Sequence, residues 1–141
     1  MANAEQRIKN LLRLTAQQQA SDLHLTVARY PIIRIDGKLV PVTQEELLTP
    51  QAIQDMCDVI LVKEDKKKIL TEEGQVDFSY NFEDKVRFRV NAFFQQGYMS
   101  IAFRLISDKI KTLEELNMPP YFYNFTQATQ GLVLLVGPTG H

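Results

Sequence analysis

Two long strand-like runs meet at Gln96-Gly97, and this junction limits the possible folds more than any other stretch. Val86–Gln95 and Tyr98–Ile106 are rich in aromatic and β-branched residues and read as the two longest strands. If Gln96-Gly97 is a two-residue turn, Gln95 pairs with Tyr98 and the register follows, because opposed residues share one index sum. One face of that hairpin then sets Phe94 against Met99, Ala92 against Ile101, Val90 against Phe103 and Phe88 against Leu105. It is wholly apolar and is expected to be core. On the other face Asn91 meets Ala102, and Arg89 sits directly opposite Arg104. Like charges so placed destabilise a sheet by a few tenths to ~1 kcal/mol. Two readings stay open: each arginine pairs with a carboxylate, Asp77 or Asp108 being available, or the two guanidiniums together grip an anion such as phosphate.

The rest of the chain supplies layers for this hairpin. Residues 4–19 read as an amphipathic helix with Ile8, Leu11, Leu12 and Thr15 on one stripe. Leu23, Leu25 and Val27 alternate with polar or small neighbours, and Ile32-Ile33-Arg34-Ile35 runs into Asp36-Gly37, a hairpin signal. Thr49-Pro50 marks a helix start, with threonine as cap and proline in the first turn, and Ile53, Met56, Cys57 and Ile60 form its buried stripe. A charged helix over 63–73 is expected to carry a Glu64–Lys68 pair and to end at Gly74. Val76, Phe78, Tyr80 and Phe82 alternate along a half-buried strand, which a turn at Glu83-Asp84-Lys85 joins to the next. Thr112 and Glu115 have the spacing of a capping box on a short helix. The aromatic run Tyr121 to Phe125 reads as a second short turn or helix, and residues 127–130 as a linker.

Composition excludes several classes. A chain of 141 residues suits one domain with a sizeable core and part of a neighbour. The net charge of −1 gives no basic field for nucleic acid or an anionic membrane. The single Cys57 rules out a disulfide framework, fits a reducing compartment, and reads as a core residue and not a nucleophile. No apolar run reaches the ~20 residues of a membrane helix, and the N-terminus lacks a signal-peptide core, so a cytoplasmic location is expected. His24 shares a strand face with Asp22 and Thr26; a structural histidine is expected there, and Asp22 reads as a hydrogen-bonding turn or interface group. No metal site is expected.

The last residues, Gly131-Leu-Val-Leu-Leu-Val-Gly-Pro-Thr-Gly140, read as a buried strand entering a phosphate-binding loop. In the pattern G-x-x-x-x-G-K-[ST], Gly137 supplies the first glycine, and Gly137, Pro138, Thr139 and Gly140 would begin the phosphate cradle. The second glycine and the lysine would fall beyond His141, itself either native or from a tag. Away from its sheet, this strand is expected to fray or dock on a neighbour.

Taken in order, Ala20-Ser-Asp-Leu-His-Leu25, Ile33-Arg-Ile-Asp-Gly-Lys38, Asp77-Phe-Ser-Tyr80, Arg87-Phe-Arg-Val-Asn-Ala-Phe93, Phe103-Arg104 and the 131–140 stretch closely resemble the N-terminal region of the type IV pilus retraction ATPases, in the secretion-ATPase superfamily. The resemblance implies an α+β fold: a PAS-like domain over 1–110 with a mostly antiparallel sheet and flanking helices. A linker with short helices over 111–130 would follow, then the first strand of a truncated RecA-like ATPase domain over 131–141. It implies that the full-length protein binds ATP and Mg²⁺, forms a homo-hexamer, and works in the cytoplasm at the inner membrane, peripheral to it. There it would act with the pilus platform protein and the pilus machinery to drive retraction and twitching motility. It also implies that Arg89 and Arg104 approach the ATP phosphates as catalytic residues. This stretch alone is expected to be inactive and to hold no nucleotide tightly.

Three other readings remain. One is an extension or type II secretion ATPase of the same superfamily. Another is a non-enzymatic PAS-like binding or scaffold module. The third takes Arg87-Phe-Arg-Val-Asn-Ala-Phe93 as a basic–aromatic platform for single-stranded nucleic acid, against which the near-zero net charge counts.

Overall fold

The computed structural model describes residues 2–83, 86–106 and 112–137. The chain divides into two units, Met1–Ser107 and Asp108–His141. In the first, α1 (Ala2–Gln17) leads to β1 (Asp22–Leu25), β2 (Ile32–Ile35) and β3 (Lys38–Pro41). Two helices follow, α2 (Pro50–Ile60) and α3 (Glu64–Glu73), and then β4 (Gln75–Phe82), β5 (Val86–Gln95) and β6 (Tyr98–Ile106). The six strands make one sheet in the order β3-β2-β1-β6-β5-β4, and every neighbouring pair is antiparallel. The α+β fold with an antiparallel sheet that the resemblance implies is the one observed.

The β5–β6 hairpin has the register set by its turn, from Gln95 opposite Tyr98 to Phe88 opposite Leu105. Gln96 and Gly97 both take positive φ, 51° and 81°, the left-handed pair of a type I′ turn whose twist matches that of the strands. Asp36 and Gly37 repeat this at φ 47° and 77°, setting Ile35 against Lys38. One expectation needs correcting. The apolar hairpin face is not core throughout, because Phe94 is 47% exposed near the turn, outside the core cluster.

The three helices bury their apolar stripes against one face of the sheet. Ile8, Leu11, Leu12 and Thr15 from α1 join Ile53, Met56, Cys57 and Ile60 from α2, together with Phe88, Val90, Ala92, Ile101 and Phe103. Thr49 caps α2, its hydroxyl accepting from the Ala52 amide at 3.1 Å. Gly74 ends α3 in the left-handed conformation at φ 75°. Glu64 does not pair with Lys68 as expected. It accepts from Lys67 at 2.8 Å, while Lys68 lies 3.7 Å from Glu72, since three- and four-residue spacings both share a helix face. The Glu83 turn falls partly on Asp84 and Lys85, which lie outside the described residues.

In the second unit the capping box closes in both directions. The Thr112 amide donates to Glu115 at 3.1 Å, and the Glu115 amide to the Thr112 hydroxyl at 3.3 Å. It caps a turn and not the helix expected. Met118 N–H returns to Leu113 and Asn117 N–H to Glu114, a paired C-terminal closure with Asn117 at φ 53°, and Pro119-Pro120 cannot continue it. A 3₁₀ turn (Pro120–Phe122) and α4 (Tyr123–Thr126) hold the aromatic run. The strand expected from Gly131 is not formed. Residues 131–137 make no ladder, and Leu132 to Val136 are between 53% and 92% exposed, because an extended segment becomes a strand only beside a partner.

Candidate functional site

Strand alternation sends every residue of the core to the helix side and leaves a polar face on the other. Across that face the registers line up Arg34 (β2), Asp22 (β1), Arg104 (β6) and Arg89 (β5) in one row. The next row carries His24, Ala102, Asn91 and Asp77. Arg89 lies directly opposite Arg104, as the turn requires.

Both arginines are tied by a carboxylate through Nε alone. Arg104 Nε donates to Asp22 Oδ1 at 3.1 Å, and Arg89 Nε donates to Asp77 Oδ1 at 3.3 Å. The carboxylate reading of the arginines therefore holds for Asp77; Asp108 lies outside the described residues. It does not displace the anion reading. Among the described residues, the Nη1 and Nη2 groups of both side chains donate to no protein acceptor, and the side chains are 66% and 72% exposed. Together with Asp22, His24, Asn91 and Ala102 they line an open recess of about 360 Å³. Four uncommitted terminal amino groups around a recess suit an anionic, oxygen-rich ligand.

Asp22 is the residue whose role the sequence pattern left open. Its other oxygen, Oδ2, accepts from Arg34 Nε at 3.1 Å and from the Ser21 hydroxyl at 2.8 Å. Burial works to raise the Asp22 carboxyl, but the Ser21 hydroxyl and the Arg104 guanidinium outweigh it and hold it below the ordinary carboxylate value. His24 moves down as well: burial disfavours its charged form more than Asp22 favours it. Its Nε2 is buried with no hydrogen-bond partner among the described residues.

Of the phosphate-loop residues, Gly137 is described and belongs to the second unit; Pro138, Thr139 and Gly140 lie outside the described residues. Among the described residues no group of three or more His, Cys, Asp or Glu could hold a metal ion, so none of them is assigned as a Mg²⁺ ligand. Of the two aromatics in the basic–aromatic stretch, Phe88 is fully buried in the core on the opposite face from Arg87 and Arg89, and half-buried Phe93 shares the arginine face.

No family model matches the chain. Over 133 residues it is 38% identical to the type IV pilus retraction ATPase PilT of Pseudomonas aeruginosa, covering 94% of this chain and 38% of that protein. The solved pilus retraction motor PilT with bound ADP superposes with a TM-score of 0.76 at 33% identity, over 94% of this chain and 38% of that one. The chain belongs to the secretion-ATPase superfamily, matching the N-terminal region of PilT. A second relative, the type IV pilus ATPase PilU of P. aeruginosa, is 32% identical over 94% of this chain and 34% of its own length. The Legionella pneumophila ATPase DotB shares the fold at a TM-score of 0.77 and 22% identity, over 94% of this chain and 38% of its own. This PilT-like chain thus spans little more than a third of the length of the relatives it matches. No described helix is long and apolar enough to cross a membrane.

Proposed function

We propose that this chain is the N-terminal region of a type IV pilus retraction ATPase, and that Arg89 and Arg104 bring positive charge to the phosphates of ATP. The observation that carries the reading is the opposed arginine pair, each anchored at Nε with its terminal amino groups uncommitted among the described residues. The PilT and PilU relatives support it, as does the ADP held by the PilT neighbour. Two such groups offset charge that builds on phosphoryl oxygens as water attacks the γ-phosphorus and the bond to the β-phosphate oxygen breaks, leaving ADP and phosphate. ATP and Mg²⁺ would be held chiefly by a RecA-like ATPase domain, whose phosphate loop begins at Gly137, Pro138, Thr139 and Gly140. The domain plan proposed is a PAS-like domain over 1–110, a linker over 111–130 and the ATPase domain from 131. In the cell the protein would work as a homo-hexamer in the cytoplasm, peripheral to the inner membrane and acting on the pilus machinery.

The test is ATP turnover by the full-length protein. Arg89→Ala and Arg104→Ala should each keep the fold and lower kcat, on the order of a hundredfold for loss of one charge-stabilising donor. Wild-type turnover by both folded variants would overturn the reading. Retraction itself is read by motility: cells carrying either variant should keep surface pili and lose twitching.

A further inference from the structure

We propose that Asp22 is a positioning residue that presets Arg104 for phosphate; this rests on the function proposed above and adds a residue to it. Arg104 is 72% exposed at its side chain, and an arginine on a surface strand samples many rotamers. Fixing it at the moment of reaction costs side-chain entropy. Asp22 removes that cost beforehand. A single bond from Nε to Oδ1 restrains the guanidinium and leaves both terminal nitrogens without a protein acceptor among the described residues.

The anchor itself is held on every side. The Asp22 side chain is only 10% exposed, and its Oδ2 is committed to Arg34 and to the Ser21 hydroxyl, so the carboxylate cannot turn without breaking bonds. Its strand is paired on both flanks, opposite Arg34 and opposite Arg104. Ser21 adds two backbone hydrogen bonds, donating to Arg34 at 2.8 Å and accepting from Leu105 at 2.9 Å. Arg89 has no equivalent. Its partner Asp77 is 53% exposed and reaches it diagonally, since Asp77 lies opposite Asn91 and Arg89 lies opposite Ser79. Arg104 is therefore the rigid member of the pair and Arg89 the adaptable one. A carboxylate this close would also serve a contrary purpose, holding Arg104 away from its ligand, and the two roles predict opposite effects on turnover.

The experiment is a double-mutant cycle in the full-length ATPase with D22N, R104A and the combined variant. D22N should lower kcat by on the order of tenfold with little change in KM for ATP, because a misplaced group is lost chiefly in the transition state. The combined variant should turn over no more slowly than R104A alone, since Asp22 acts only through Arg104. D22E, which keeps the charge, should recover part of the loss; if D22N fails to fold, D22E combined with R104A carries the same comparison. In the 141-residue chain, the Arg104 Nε–H proton should exchange slowly by NMR and become fast in D22N. Unchanged or raised kcat in D22N, multiplying losses in the combined variant, or an unchanged Nε–H signal would each overturn the positioning role. Wild-type turnover by R104A would instead fell the function proposed above, and this role with it.

Discussion

Asp22 and Arg104, 82 residues apart in sequence, meet across the β1–β6 ladder with Arg104 Nε 3.1 Å from Asp22 Oδ1. The bond lies at the middle of a charge row that reads plus, minus, plus, plus from Arg34 to Arg89. The one buried carboxylate of this row bonds two of its three cations, and Asp77 in the next row bonds the third, which lowers the repulsion between Arg104 and Arg89 across the hairpin.

An acid-limb prediction follows from the depressed Asp22 carboxyl. Burial opposes the charged form, but Ser21 and Arg104 prevail, so the folded pKa lies below the ordinary 3.8. A group whose pKa falls on folding stabilises the fold at pH above its unfolded value, and that contribution is lost as pH drops through the folded value. D22N should therefore be less stable than wild type at neutral pH. The gap should stay constant down to roughly pH 5 and narrow below about pH 4. Urea midpoints from pH 7 to pH 3 measure it, and a gap independent of pH would show that the pair is not linked to folding.

What the sequence shows and what it hides follow the same division between local and distant. The hairpin arginines were legible because a two-residue turn fixes every pair beyond it, and Gln96-Gly97 takes the positive φ values such a turn needs. The Thr49-Pro50 helix start and the Gly74 stop were legible for similar local reasons. The roles of Asp22 and Arg34 were not, because nothing local sets the register between β1 and β6. The period-2 placement of Arg34 puts it on the polar face, yet only the folded sheet brings it to the carboxylate. The apolar run at 131–136 reads as a strand in the sequence, yet none is formed there, because a ladder needs a partner strand that the local pattern does not name.

Cys57 should be inert in the native protein. It is buried on α2, and burial, with a smaller push from Asp58, raises its thiol to about 12. At pH 8 the thiolate is then roughly one part in ten thousand of the population, far too little for appreciable disulfide exchange. Ellman's reagent should release no colour from the folded chain over minutes and one equivalent after denaturation. Rapid stoichiometric reaction of the folded chain would show that the α2 face opens.

Phe103 should be among the most costly core residues to remove. Its ring meets Phe88 edge-on, with centroids 6.1 Å apart and planes at 88°, and both rings are buried. Phe103→Ala leaves a cavity under the central strand pair, and such truncations cost about 3–5 kcal/mol. The shift in urea midpoint at unchanged slope reads it directly. A loss below about 1 kcal/mol would mean that the helices collapse into the space.

The turn beneath the arginines is not optimised, and this gives the most direct control over their register. Gln96 adopts φ 51°, a left-handed conformation that asparagine tolerates better than glutamine because its short amide bonds locally to the backbone. Gln96→Asn should therefore stabilise the chain by a few tenths to about 1 kcal/mol while leaving every hairpin pair in place. Gly97→Ala tests the reverse. At φ 81° a side chain is strained although no heavy atom lies within 4 Å of the added carbon, so the cost is conformational, about 1–2 kcal/mol, and not steric. Amide cross-peaks between Arg89 and Arg104 report whether the register survives. If Gln96→Asn destabilises the fold, the glutamine side chain makes a contact in solution that outweighs its backbone preference, and the turn is held by more than its own geometry.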